Sequence, residues 1–300
     1  MGTPIWRGMD PAELDAAYDN RAAVPESAAC LQEWTTRSRA LREWQPDLLD
    51  LPYGPRPRHR IDLFRAGGRD APLLVFLHGG YWQRNAKDMF SCMAEGPLAR
   101  GFDVAVVGYT LAPEASLTGI VGEIRGAVRW LRREGPAYGI SPVRLVVSGW
   151  SAGGHLAALV MGMPEVDAGL CVSGIFDLEP IRRGTLNQKL RLTSAEADAL
   201  SPIRHLPPRA GPLIVAYGTG ELDELQRQSR DFQAAWGAAG HRGRLMPVEG
   251  RNHFSILADI VNPDGVLATA LAALARNLPG SGSGRQSRGP VAAETKLPCF

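Results

Sequence analysis

Ser151 stands in Gly149-Trp150-Ser151-Ala152-Gly153, directly after the apolar run Leu145-Val146-Val147. That pattern puts a hydroxyl where a buried strand turns sharply into a helix, flanked by residues small enough for the turn to close. A serine hydroxyl is a weak nucleophile near neutral pH and needs a base to take its proton as it attacks. The chain has six histidines. His59 and His78 precede the serine, His155 lies just behind it, His205 falls in an irregular stretch, and His241 comes immediately before the last expected strand. His253, in Gly250-Arg251-Asn252-His253-Phe254, follows that strand in the loop where a base reaches a serine at such a turn.

The base needs an acid to hold one ring nitrogen protonated while the other faces the serine. Gly218-Thr219-Gly220-Glu221-Leu222-Asp223-Glu224-Leu225 offers Glu221 and Asp223. Glu221 is preferred because it lies in the loop itself, whereas Asp223 suits the cap of the next helix and Glu224 its first turn. An earlier loop, His78-Gly79-Gly80-Tyr81-Trp82, has glycines that allow its backbone close to the serine turn. The N–H groups of Gly80 or Tyr81 then join that of Ala152 as an oxyanion hole. Tyr81 and Trp82 are candidate aromatic walls for a substrate, with Trp150 beside the serine as a third, and His78 is expected to brace its loop by hydrogen bonding.

These pieces need a scaffold. Leu73–Leu77, Val104–Val107, Leu145–Val147, 170–176 and 212–218 are short apolar runs suited to interior parallel strands, with a last strand over 244–248. His59–Phe64 alternates like a strand exposed on one side. Residues 122–133 and 223–238 read as helices, and a helix from Ser255 closes the domain. The expected fold is therefore α/β: an α/β-hydrolase with a mostly parallel central sheet, helices on both faces and a small irregular insertion over the active site at 178–207. Residues 1–280 are expected to form one domain, with 10–44 its N-terminal segment of one or two helices, and 281–300 a disordered tail.

Composition narrows the function. The net charge is +2, from 33 basic and 31 acidic residues well mixed along the chain, which gives no broad surface for nucleic acid. The four cysteines are widely separated, so neither a disulfide framework nor a thiolate metal site is expected. No His-Glu-x-x-His run indicates a metal, and the glycines do not make Gly-x-Gly-x-x-Gly, so no cofactor is expected. No signal peptide or membrane span is evident, and the expectation is a cytoplasmic protein with a small-molecule substrate, compatible with a homodimer.

At these residues the chain resembles the kynurenine formamidase, or arylformamidase, branch of the α/β-hydrolases. The resemblance rests on His78-Gly79-Gly80-Tyr81-Trp82, on Ser148 through Leu156, on Glu224 through Phe232 and on Leu14-Asp15-Ala16-Ala17-Tyr18-Asp19-Asn20-Arg21, within roughly residues 10 to 275. It implies Ser151 as nucleophile, His253 as base and Glu221 as acid, acting on an N-formyl arylamine such as N-formylkynurenine. A carboxylesterase of small or aryl esters is the alternative. Two departures stand out: Trp150 occupies the position where the family usually has histidine, and Glu221 the position of its usual aspartate.

Overall fold

The structure is a computed structural model that describes residues 2–141 and 143–278. The expected tail and its Cys299 lie outside the described residues. Eight strands form one sheet: β1 (Leu51–Pro52), β2 (Arg60–Phe64), β3 (Leu73–Leu77), β4 (Asp103–Val107), β5 (Leu145–Trp150), β6 (Ala168–Val172), β7 (Leu213–Gly218) and β8 (Gly243–Val248). Their order is β1-β2-β4-β3-β5-β6-β7-β8. From β4 to β8 all neighbours run parallel, while β2 is antiparallel to both β1 and β4.

The apolar runs become the middle of the sheet because both faces are covered. Every residue of β3, β4, β5, β6 and β7 is buried. The crossover helix Leu117–Glu134 begins where Ser116 Oγ accepts the Gly119 N–H, and it turns Ile120, Ile124, Ala127, Val128 and Leu131 into the core. On the other face the helix Val266–Arg276 covers the sheet with Leu267, Leu271 and Leu274.

Three details depart from the sequence expectations. β2 is not exposed on one side: Asp62 in its middle is fully buried, ion-paired to Lys87 Nζ at 2.7 Å and to Arg42 of the helix Ser27–Trp44. The alternating pattern was a paired charge under a helix, not a solvated face. The N-terminal segment is three helices, Pro11–Ala16, Asn20–Ala23 and Ser27–Trp44. The closing helix is broken, with a short turn over Ser255–Leu257, then Ala258–Val261, then Val266–Arg276. Pro263 forces Asn262 out of helical geometry, to φ −75° and ψ 123°.

Among the described residues, no single helix is long and apolar enough to cross a membrane, and no group of histidine, cysteine or acidic side chains is arranged to hold a metal ion. Cys30, Cys92 and Cys171 are free thiols.

Candidate active site

Ser151 is the single residue between β5 and the helix Ala152–Val160, at φ 57° and ψ −119°. This left-handed φ is strained for a residue with a side chain and persists only where the surroundings hold it. Its N–H donates to Val172 O at 2.8 Å, and the following helix leaves no room for bulk: a Cβ on Gly153 would lie 1.9 Å from Leu77 O.

His253 lies in the loop after β8, and Glu221 in the loop after β7. Their side chains meet with His253 Nδ1 3.0 Å from Glu221 Oε2. The other carboxylate oxygen accepts from Ser173 Oγ and from the Gly218 N–H, each at 2.6 Å. With both oxygens engaged and both residues buried, the carboxylate fixes the imidazole plane and leaves Nε2 turned to the cleft. Asp223 sits apart from this arrangement, exposed on the first turn of the helix Asp223–Ala238. Ser151 and His253 line one cleft of about 420 Å³.

The His78–Trp82 loop closes over the serine turn. A Cβ on Gly79 would fall 2.6 Å from the Trp150 ring and 2.8 Å from Trp150 O, so only glycine permits this approach. Beyond it Gly80, Tyr81 and Trp82 all take positive φ, at 119°, 50° and 57°. The unusual run is pinned by Gln83 and Arg84 N–H groups on Gly80 O and by Asn85 Nδ2 on Gly79 O, all at 3.0 Å. Among the described residues the N–H groups of Gly80, Tyr81 and Ala152 have no acceptor, as an oxyanion hole requires. His78 stays behind the loop, bonded through Nδ1 to Gly79 O at 2.8 Å and stacked on Tyr109 at 4.3 Å. Burial pushes its pKa down to about 4, which keeps it a neutral brace.

The aromatic candidates divide. Tyr81 lines the cleft, with its hydroxyl donating to Tyr18 O at 2.6 Å. Trp82 does not: it is fully buried in the core behind the loop, its ring set edge-on to His155 at 4.9 Å. Its expected contact with substrate is therefore corrected. Trp150 borders the cleft yet is only 3% exposed, and its indole N–H donates to His253 O at 2.7 Å while its ring lies 5.0 Å from the imidazole. It anchors the loop that carries His253, a role the sequence did not suggest.

Ser173 was also missed. It follows β6 at φ 51° and carries the hydroxyl that orients Glu221. A lone serine in an apolar strand end gives no local signal; only the convergence of two loops reveals it. Glu224 stands in the first turn of its helix as expected, and it also takes hydrogen bonds from Tyr18 Oη at 3.0 Å and Trp6 Nε1 at 3.2 Å and pairs with Arg227.

The chain is similar to hydrolases of known sequence and structure. Residues 61–171 match the BD-FAE family model. The kynurenine formamidase of Danio rerio is 28% identical over 89% of this chain and 97% of its own length, and esterase LipQ of Mycobacterium tuberculosis is 26% identical over 66% and 55%. A solved structure from Silicibacter sp. TM1040, named for an inferred thioesterase activity, superposes with a TM-score of 0.77 at 29% identity, covering 88% of this chain and 99% of that one. An esterase from Thermogutta terrifontis superposes with a TM-score of 0.56 at 26% identity, over 68% and 81%.

Proposed function

Starting from a chain that is a kynurenine formamidase-like α/β-hydrolase, we propose that it is a serine hydrolase that removes the formyl group from an N-formyl arylamine such as N-formylkynurenine. The observation that carries this reading is the 3.0 Å contact between Glu221 and His253 beside Ser151 on one cleft. His253 Nε2 removes the Ser151 proton as Oγ attacks the formyl carbon, and Glu221 stabilises the imidazolium that results. The N–H groups of Gly80 or Tyr81 and of Ala152 receive the oxyanion. Collapse of the tetrahedral intermediate breaks the C–N bond, and His253 hands its proton to the departing arylamine. Water, deprotonated by the same imidazole, then attacks the formyl-serine; formate leaves and the hydroxyl is restored.

A carboxylesterase of small or aryl esters uses the same steps with an alcohol leaving, and the similarity to esterase LipQ and the Thermogutta esterase favours it as the second reading. Turnover of N-formylkynurenine beside a short aryl ester distinguishes the two, with Ser151→Ala as control. The expected result is a preference for the formamide and loss of both activities in the folded variant. Ester-only turnover selects the second reading, and retained covalent labelling of the variant by a serine-directed probe refutes both.

A further inference from the structure

Two cavities of the molecule meet at one side chain. The cleft that holds Ser151 and His253 and a separate groove of about 640 Å³ both have Phe254 in their walls. Neighbouring residues of the helix Ser27–Trp44 fall on opposite sides of the divide, Leu31 facing the cleft, Cys30 and Trp34 the groove. The Phe254 ring packs against a tryptophan of each cavity, stacked on Trp34 of the groove at 6.2 Å and edge-on to Trp150 of the cleft at 5.5 Å. The divide is therefore one side chain thick.

The cleft has an open end and a closed one. Asp19, Arg21 and Arg84 in its walls are exposed, whereas Trp150 and Phe254 are 3% and 4% exposed. In an aryl ester or aryl formamide the leaving group is the larger half, and the open end is the one with room for it. The acyl half is left the closed end. Behind that end the groove has Trp34, Ala258 and Val261 in its walls, while its charged groups are tied to one another, Arg37 to both Glu33 and Glu95. Such a groove suits an alkyl chain, because each methylene taken out of water is worth about fourfold in binding.

We propose that Phe254 is a specificity-determining residue, a partition whose ring stops the acyl group at the end of the cleft and shuts straight alkyl chains out of the groove behind it. The inference rests on the serine-hydrolase reading, since it concerns the group that Ser151 receives. Phe254 acts by the space it fills and takes no part in bond making. A smaller residue at this position joins the two cavities and gives a longer acyl chain an apolar surface to lie on. The neighbouring His253 ring, 5.7 Å from Phe254, is a separate matter. Any displacement of that imidazole slows short and long substrates alike, whereas opening the partition changes the ratio between them.

The test compares kcat/KM for p-nitrophenyl acetate and p-nitrophenyl octanoate in the parent, Phe254→Leu and Phe254→Ala. The octanoate-to-acetate ratio is independent of the folded fraction, so a partly destabilised variant still gives an answer. The parent is expected to favour acetate, and Phe254→Ala to raise the ratio at least tenfold, which two seated methylenes supply; Phe254→Leu should fall between. The groove itself is tested through Cys30, the half-buried thiol in its wall, since Cys92 and Cys171 are buried. With Cys299→Ser as background, attaching fluorescein maleimide to Cys30 of Phe254→Ala should return the ratio to the parent value. A ratio unchanged in Phe254→Ala overturns the partition, and a raised ratio that survives the label overturns the groove as the place the chain enters. Loss of acetate turnover in Ser151→Ala keeps the serine-hydrolase reading whatever the ratio does, so the two fail separately.

Discussion

Replacing Trp150 by phenylalanine removes one hydrogen atom that matters, the indole N–H given to His253 O at 2.7 Å. Both partners are buried, and the His253 carbonyl has no other donor among the described residues. Leaving such a group unpaired costs about 1–3 kcal/mol. The smaller ring also loosens packing against Trp34 and Phe254, whose centroids both lie 5.5 Å away, for about 1 kcal/mol more. The expected loss in unfolding free energy is therefore about 2–4 kcal/mol, measured by urea titration. The consequence for catalysis follows from where the bond ends, on the backbone of the proposed base. A shift of the imidazole on the order of 1 Å costs roughly a hundredfold in rate, so kcat on an aryl ester should fall between about tenfold and a hundredfold with little change in KM. Trp34→Phe is the control: it disturbs the same aromatic cluster without touching His253. A Trp150→Phe enzyme that loses stability yet keeps kcat within about twofold would show that the indole only fills space.

The acid can be separated from its neighbour in the same assay. Glu221→Gln should lower kcat by roughly 10⁴-fold, as loss of the orienting charge does in serine triads, while the exposed Asp223→Asn stays near the parent; the reverse order would move the acid to Asp223. Gly79→Ala places a methyl group 2.8 Å from a backbone oxygen and should displace the donor loop, lowering kcat about a hundredfold or more, and normal turnover would refute the close approach. Stability should also fall in mild acid. His78 and His155 are held down to about 4 by burial, against about 6.5 in the unfolded chain, so between those values the unfolded state binds the extra protons. Two such groups remove roughly 4 kcal/mol between pH 7 and pH 5, and unfolding free energies equal at the two pH values would contradict their neutral burial.

What the sequence disclosed was local: a strand ending in small residues around Ser151, glycines in the His78 loop, a histidine after the last strand. Each is a short stretch whose backbone needs show in its own residue types. What it hid was assembled from distant stretches. Ser173 meets Glu221 across two loops, Trp150 meets the backbone of His253 from a strand far back in the chain, and Trp82 packs inward against His155. The β2 pattern misled for the same reason. Asp62 looks like a solvent-facing residue until Lys87 and Arg42 arrive from elsewhere in the chain to cover it.

The segment Glu224–Ser229 shows how such distant assembly reaches the chemistry. Glu224 Oε2 accepts from Tyr18 Oη at 3.0 Å, and Gln228 Nε2 donates to the same hydroxyl at 2.8 Å. Gln228 Oε1 holds the Phe176 and Asp177 N–H groups at 2.5 and 2.7 Å, at the start of the insertion. Tyr18, fixed by its hydroxyl, offers its carbonyl to Tyr81 Oη at 2.6 Å, and Tyr81 carries one of the N–H groups proposed for the oxyanion. One helix thereby joins the N-terminal wall, the insertion and the donor loop through four side chains. A Gln228→Leu substitution keeps the volume but abandons two N–H groups and a phenol, so it should loosen the wall and the hole together. Its expected mark is a fall in kcat/KM with Ser151 still labelled by a serine-directed probe, whereas unchanged kinetics would mean that the wall and the donor loop hold their places without this helix.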